Sequence, residues 1–167
     1  MSFYATSNQK GFTFMEIIIT ILVAAILMTL AVPSFRAAIQ NNRLTGEANE
    51  IIAAFQFARS EALKRGAPVQ VCSSSNGISC GGNWNQGWIA LAELPGNATE
   101  LLRAWPGNGN DFSFTPANGT VRYLGTGFYD ALAPFTMDVT LPDCLFDNAR
   151  QIVVEPSGRA ASERTSC

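Results

Sequence analysis

Glu16 is the residue whose position most needs a chemical account. It is the only ionisable side chain between Phe12 and Val32, in the run FTFMEIIITILVAAILMTLAV. A carboxylate in the apolar part of a membrane helix costs about 2.5 to 3.5 kcal/mol, so it must find a positive partner, take up a proton, or sit near the headgroups. The other covalent chemistry belongs to four cysteines, Cys72, Cys80, Cys144 and Cys167. Cys72 and Cys80 flank a short polar loop, SSSNGIS, that a disulfide can close without steric difficulty. Cys144 with Cys167 would then tie down the tail; a free or intermolecular cysteine is the alternative for that pair. A zinc site is the competing use of all four, but their spacing matches no finger or ribbon pattern. Trp84 and Trp88 flank Gly87 and could form a stacking platform or fill a core. Trp88 begins the apolar run WIALA and reads as core, whereas Trp84 lies in a polar loop and reads as more open. Arg150, Arg159 and Arg164 give the tail a local positive accent.

What is missing narrows the chemistry further. The chain has no histidine, which removes the commonest general base near neutral pH and the commonest metal ligand. No Ser/His/Asp or Cys/His set can form, and neither a phosphate-binding glycine loop nor a carboxylate pair at a credible site is present. The expectation is a structural or interaction protein, not an enzyme, with no cofactor and no metal. The formal net charge of -2 provides no broad attraction for nucleic acid or acidic lipid, so any anion binding must be local.

These residues need elements to position them. Hydrophobic residues make up 47% of the chain and charged ones 14%, and the excess lies at the N-terminus. A helix from Phe12 to Val32 would be about 30 Å long, enough to span a bilayer core. The leader before it carries one cation, Lys10, and positive charge stays in the cytoplasm, so the bulk of the chain would face outward. A cleaved secretory signal and a plain single-span anchor are the alternatives. The first needs a small-x-small cleavage site, which is not clear here, and the second leaves Glu16 unexplained.

Past Pro33, residues Phe35, Ile39, Leu44, Ala48, Ile51, Ile52, Phe55, Ala58 and Ala62 recur at helical spacing and form one apolar stripe. Glu47, Glu50, Arg59, Glu61, Lys64 and Arg65 are expected on the other faces, and Gly66 is placed to stop the helix. Unbroken from Phe12 to Arg65, it would reach roughly 80 Å. Pro33 lacks an amide donor and Gly46 is a poor helix former, so a kink or local melting is expected between them, around Asn41 and Asn42. Beyond Gly66 the period changes to short strands, predicted at 68–72, 87–92, 100–105, 112–115, 120–124, 135–141 and 150–155. The fold class expected is α+β: a long N-terminal helical spine, its first half transmembrane, packed against a curved antiparallel β-sheet head. The expected divisions are a leader at 1–11, a transmembrane helix at 12–32, its amphipathic continuation at 33–66 and a β-rich head at 67–167.

Lys10, Gly11, Phe12, Thr13 and Glu16, in the order K-G-F-T-x-x-E before an apolar run, resemble the type III signal of type IV prepilins and type II secretion pseudopilins. The resemblance implies that a membrane-embedded prepilin peptidase cuts after Gly11 and methylates the new N-terminus at Phe12. Glu16 then becomes the fifth mature residue, and Pro33 falls where many pilins carry a proline. Within a filament the Glu16 carboxylate of an incoming subunit could meet the Phe12 amine of a neighbour, fixing register and removing two unpaired charges.

Phe57-Ala58-Arg59-Ser60-Glu61-Ala62, the segment Val69 to Cys72, Asn83-Trp84-Asn85-Gln86-Gly87-Trp88 and Pro156-Ser157-Gly158-Arg159 are similar to the FimT, FimU and GspH group of minor pilins and pseudopilins. That implies a pilin-like fold and, as partners, other major and minor pilins or pseudopilins and an inner-membrane assembly platform. The chain would begin in the bacterial inner membrane with a periplasmic head and pass into a pilus or pseudopilus, at its tip. The role implied is priming or connecting a type IV pilus, with a type II secretion pseudopilin as the alternative. Some FimT-type proteins bind DNA for uptake through a C-terminal G-R-x-R motif. Here Gly158-Arg159-Ala160-Ala161 keeps the first arginine alone, and Glu155 and Glu163 lie close by, so contact through Arg159 and Arg164 is the weaker expectation.

Overall fold

The apolar run and the amphipathic stretch after it form one helix, α1 (Phe14–Arg65), in the computed structural model, which describes residues 11–109, 111–142, 144 and 149–166. The chain divides into two units, Met1–Ile39 and Gln40–Cys167, and α1 contributes to both.

In the first unit the helix is apolar and exposed along its length. An 18-residue window has a mean hydropathy of 2.6 and none of it is buried, so the helix is long and apolar enough to cross a membrane. Its few hydroxyls are satisfied internally: Thr20 Oγ1 donates to the Ile17 carbonyl at 2.8 Å and Thr29 Oγ1 to that of Ile26 at 2.7 Å, as an apolar surrounding requires. The helix continues through Pro33, Asn41, Asn42 and Gly46, so the local melting expected there does not occur. Proline removes one bond from the ladder and glycine costs about 1 kcal/mol. Against that, Thr45 Oγ1 donates to the Asn41 carbonyl at 2.8 Å, and Leu44 and Ala48 are fully buried.

The second unit holds the remaining elements. Gly66, at φ 61°, ends α1 in the left-handed conformation that glycine adopts without strain. Among the described residues eight strands follow: β1 (Val69–Ser73), β2 (Gly87–Glu93), β3 (Thr99–Pro106), β4 (Ser113–Thr115), β5 (Thr120–Tyr123), β6 (Phe135–Thr140), β7 (Ala149–Val154) and β8 (Ala160–Thr165). They form two antiparallel four-stranded sheets, ordered β3-β2-β1-β5 and β4-β6-β7-β8. This corrects two expectations: the head has two sheets where one was predicted, and β8 was not predicted at all.

Alternation builds the core. Val69, Val71, Trp88, Ala90, Val121 and Tyr123 from the first sheet, and Met137, Val139, Ile152 and Val154 from the second, are all at 0% exposure. They join Leu44, Ala48, Ile51, Ala54, Phe55, Ala58 and Ala62 of α1 in one cluster, each large side chain contributing about 1.5 to 3 kcal/mol. The buried stripe therefore begins at Leu44. Phe35 and Ile39, which share its period, belong to the first unit and are exposed.

Candidate assembly segment and head surface

The N-terminal segment is organised by Thr13. Gly11, Phe12 and Thr13 precede the helix in non-helical, exposed backbone, and Phe12 is 81% exposed. The Glu16 amide donates to the Thr13 carbonyl at 3.1 Å and to Thr13 Oγ1 at 3.3 Å. Thr13 is thus the cap of α1, with Glu16 in its first turn. The cap satisfies amides that an apolar surrounding could not, and an acidic group in the first turn complements the helix dipole. The signal was present in the sequence as the Thr-x-x-Glu spacing of a capping box, though those residues were read there for processing and for filament pairing. Lys10 lies outside the described residues.

In the head, Cys72 and Cys80 form a disulfide with Cα atoms 5.5 Å apart. It closes a loop ordered by Asn76, whose Oδ1 accepts from the Ile78 and Ser79 amides at 2.9 Å each. Cys144 is also disulfide-bonded; its expected pairing with Cys167 lies outside the described residues. Trp88 is core as predicted. Trp84, less decided from the sequence, is equally buried at 0% exposure: its polar loop turns it inward, edge-on to Phe55 at 6.3 Å and beside Trp88 at 6.4 Å. No stacking platform remains.

Two charged side chains are buried against sequence expectation. Glu47, expected on a polar face of α1, is 4% exposed. Its Oε2 accepts from Asn108 Nδ2, while Oε1 has no hydrogen-bond partner among the described residues. Burial first, and the charge of Glu50 second, push this carboxyl up to about 7, against the opposing hydrogen bond from Asn108. Arg150 is 6% exposed, and its Nη2 donates to Asn41 Oδ1 and, at 3.0 Å, to Thr45 Oγ1. Burial and then the nearby Arg164 lower its pKa.

The three arginines of the tail differ in their surroundings. Arg150 serves the packing of β7 on α1. Arg159 and Arg164 are exposed; Arg159 precedes β8 and Arg164 lies within it, opposite Arg150, roughly 16 Å further along at the rise of a strand. The tip carrying Arg159 is a tight turn in which the Glu155 amide donates to the Arg159 carbonyl at 2.9 Å and the Gly158 amide to the Glu155 carbonyl at 2.8 Å.

Arg59 is the residue that sequence reasoning left without a role. Its Nε donates to the Gly127 carbonyl and its Nη2 to the Ser157 carbonyl, both at 2.9 Å. One helix side chain thus ties down a turn from each sheet. Gly158, at φ 82°, packs so closely that a Cβ there would meet the Gly127 carbonyl and come within 3.1 Å of Arg59 Nε. The segments around Arg59 and around Ser157-Gly158 are two of those on which the family resemblance rests, and they meet in space.

The comparisons with known proteins agree with this arrangement. The family model described as type II transport protein GspH matches residues 47–158, and the prokaryotic N-terminal methylation motif matches residues 6–32. No curated protein matches the chain in sequence. Two crystal forms of the Pseudomonas aeruginosa type IV minor pilin FimU are similar in fold. One has a TM-score of 0.58 at 20% identity, covering 73% of this chain and 89% of that one. The other has a TM-score of 0.56 at 20% identity, covering 72% and 92%. The helix packed on antiparallel sheets is thus the pilin fold, the sequence carries the methylation motif and the GspH match, and the chain belongs to the GspH family of pilin-like minor pilins and pseudopilins.

Proposed function

We propose that this chain is a minor pilin of a type IV pilus, held in the inner membrane by residues 12–32 with its head in the periplasm, and drawn into the filament at its tip to prime or connect it. The observation that carries the reading is the N-terminal segment: a methylation motif leading into an apolar helix whose first turn holds Glu16 behind a threonine cap. Cleavage after Gly11 frees the Phe12 amine. Glu16 of the incoming subunit then pairs with that amine on a neighbour, removing two charges that neither helix satisfies alone. Pro33 is where the axis is free to bend during packing.

Glu16→Ala should leave the head folded and reduce the amount of chain recovered in sheared filaments about tenfold or more, with Glu16→Asp retaining part of it. Unchanged recovery of Glu16→Ala, or a mature N-terminus other than methylated Phe12 by mass spectrometry, would overturn the proposal. The match to a type II transport protein over the head favours a second reading, a pseudopilin of a secretion filament using the same pairing. Deleting the gene separates the two: lost piliation and twitching support the pilus, and exoenzymes retained in the cell support secretion.

A further inference from the structure

Three asparagines of the head are followed directly by glycine: Asn76-Gly77, Asn108-Gly109 and Asn118-Gly119. This dipeptide carries covalent chemistry of its own, because glycine has no side chain to keep its backbone nitrogen from reaching the preceding amide. The glycine nitrogen attacks the asparagine Cγ, a five-membered succinimide closes, and the Nδ2 nitrogen leaves as ammonia. Water then opens the ring at either carbonyl, giving aspartate or isoaspartate. The balance is asparagine plus water to acid plus ammonia, so neither an oxidant nor a cofactor is needed. Both reacting ends must be free: a glycine amide that can lose its proton, and a side-chain amide that can turn to meet it.

The fold holds both ends at two of the sites. The Gly77 amide donates to Ser74 Oγ at 3.0 Å. The Asn76 side chain accepts from the Ile78 and Ser79 amides and donates to Ser79 Oγ, at 2.9 Å each. The Gly109 amide donates to the Asn85 carbonyl at 3.1 Å, and Asn108 Nδ2 donates to Glu47 Oε2. The third site differs. Asn118 is exposed, and among the described residues neither its side chain nor the Gly119 amide makes a hydrogen bond. The turn joining β4 to β5 is held by its carbonyls instead, that of Ala117 accepting from the Trp84 amide at 2.9 Å and that of Gly119 from the Ser73 amide at 3.3 Å. These anchors place the turn without engaging either reacting group.

We propose that Asn118 is a site of spontaneous deamidation in the folded head, a fate that Asn76 and Asn108 escape through their hydrogen bonds. The product adds a negative charge to a chain of formal net charge -2. That charge falls in the cleft lined by Ser73, Gly81, Gly82 and Thr120, beside the Cys72–Cys80 disulfide. The isoaspartyl form also lengthens the backbone by one methylene between the anchored carbonyls of Ala117 and Gly119.

The full chain in detergent, with its disulfides intact, is held in mildly alkaline buffer while peptides spanning the three sites are followed by mass spectrometry. An isoaspartyl methyltransferase assay reads the rearranged form. Acid at Asn118 should accumulate about tenfold faster, or more, than at Asn76 or Asn108, since each of those must first break at least two hydrogen bonds. In denaturant the three rates should converge. Asn118→Gln should abolish the early acidic form on isoelectric focusing, because the longer side chain has to close a six-membered ring. A rate at Asn118 no higher than at the other two sites would overturn the proposal, as would an acidic form that persists in Asn118→Gln. A difference between sites that survives in denaturant would overturn it too, because the selectivity would then belong to the sequence and not to the fold.

Discussion

Replacing Glu47 by glutamine removes a buried charge while keeping the shape that fits against Asn108. In the folded chain the carboxyl is raised from 4.5 to about 7, so the native state holds a proton that the unfolded chain gives up near 4.5. Stability from this site is fully present below about pH 4.5 and is lost as pH rises through about 7. The gap corresponds to about 3 kcal/mol. The groups around Glu47 do not cancel it. Glu50 adds repulsion, and the nearest cation along the helix, Arg43, is engaged with Asp111 at 2.8 Å.

Urea unfolding of the full chain in detergent, followed by the fluorescence of its buried tryptophans, should therefore show the parent losing about 3 kcal/mol relative to Glu47→Gln between pH 4.5 and pH 8. The variant should be the more stable of the two at pH 8 and close to the parent at pH 4.5. Other titrating groups are common to both chains and drop out of the difference. Parallel pH curves for parent and variant would refute the reasoning, because they would mean that the carboxyl is hydrated or paired in solution. Glu50→Gln should reproduce a smaller part of the same effect, since its charge is the second cause.

Other perturbations test the packing and the cross-links. Phe55→Ala empties a site at 0% exposure that touches Trp84 and Phe135 edge-on, and should cost about 3 to 5 kcal/mol in the same unfolding experiment. Cys72→Ser with Cys80→Ser opens a loop of sequence separation 8; the chain-entropy account gives a loss of about 2 to 3 kcal/mol, checked by melting with and without reductant, to which the double variant should be indifferent at this loop. Arg59→Ala removes two hydrogen bonds from a charged donor and should cost about 2 to 4 kcal/mol. Hydrogen exchange should quicken at the Gly127 and Gly158 amides, and equal protection there would count against the tie.

The pattern of which features were legible follows from where their partners lie. The helix, its stop at Gly66 and seven of the strands are local matters of period and punctuation, and the Cys72 and Cys80 pair spans one short loop. β8, with the sequence Ala160-Ala161-Ser162-Glu163-Arg164-Thr165, has no apolar alternation because it packs little. It is a strand because β7 presents a free edge, with which it pairs in register from Val154↔Ala160 to Ala149↔Thr165. The division into two sheets is equally non-local: β5 returns to pair with β1, and β4 leaves to pair with β6, which no single segment encodes.

Glu47 and Arg150 follow the same logic one level down. Residue type placed both on the surface, and in isolation that is correct. Each is buried because a residue far along the chain covers it or is covered by it, Asn108 for Glu47 and Asn41 for Arg150. Neither is matched by an opposite charge among the described ion pairs, so both are held by neutral amides that supply direction without repaying the full cost of desolvation. Periodicity reports which face of α1 will be buried and is silent about the agent. From Leu44 to Ala62 the agent is the chain's own pair of sheets. For Phe35 and Ile39, which continue the period into the first unit yet stay exposed, an agent outside this chain is what the proposed filament supplies.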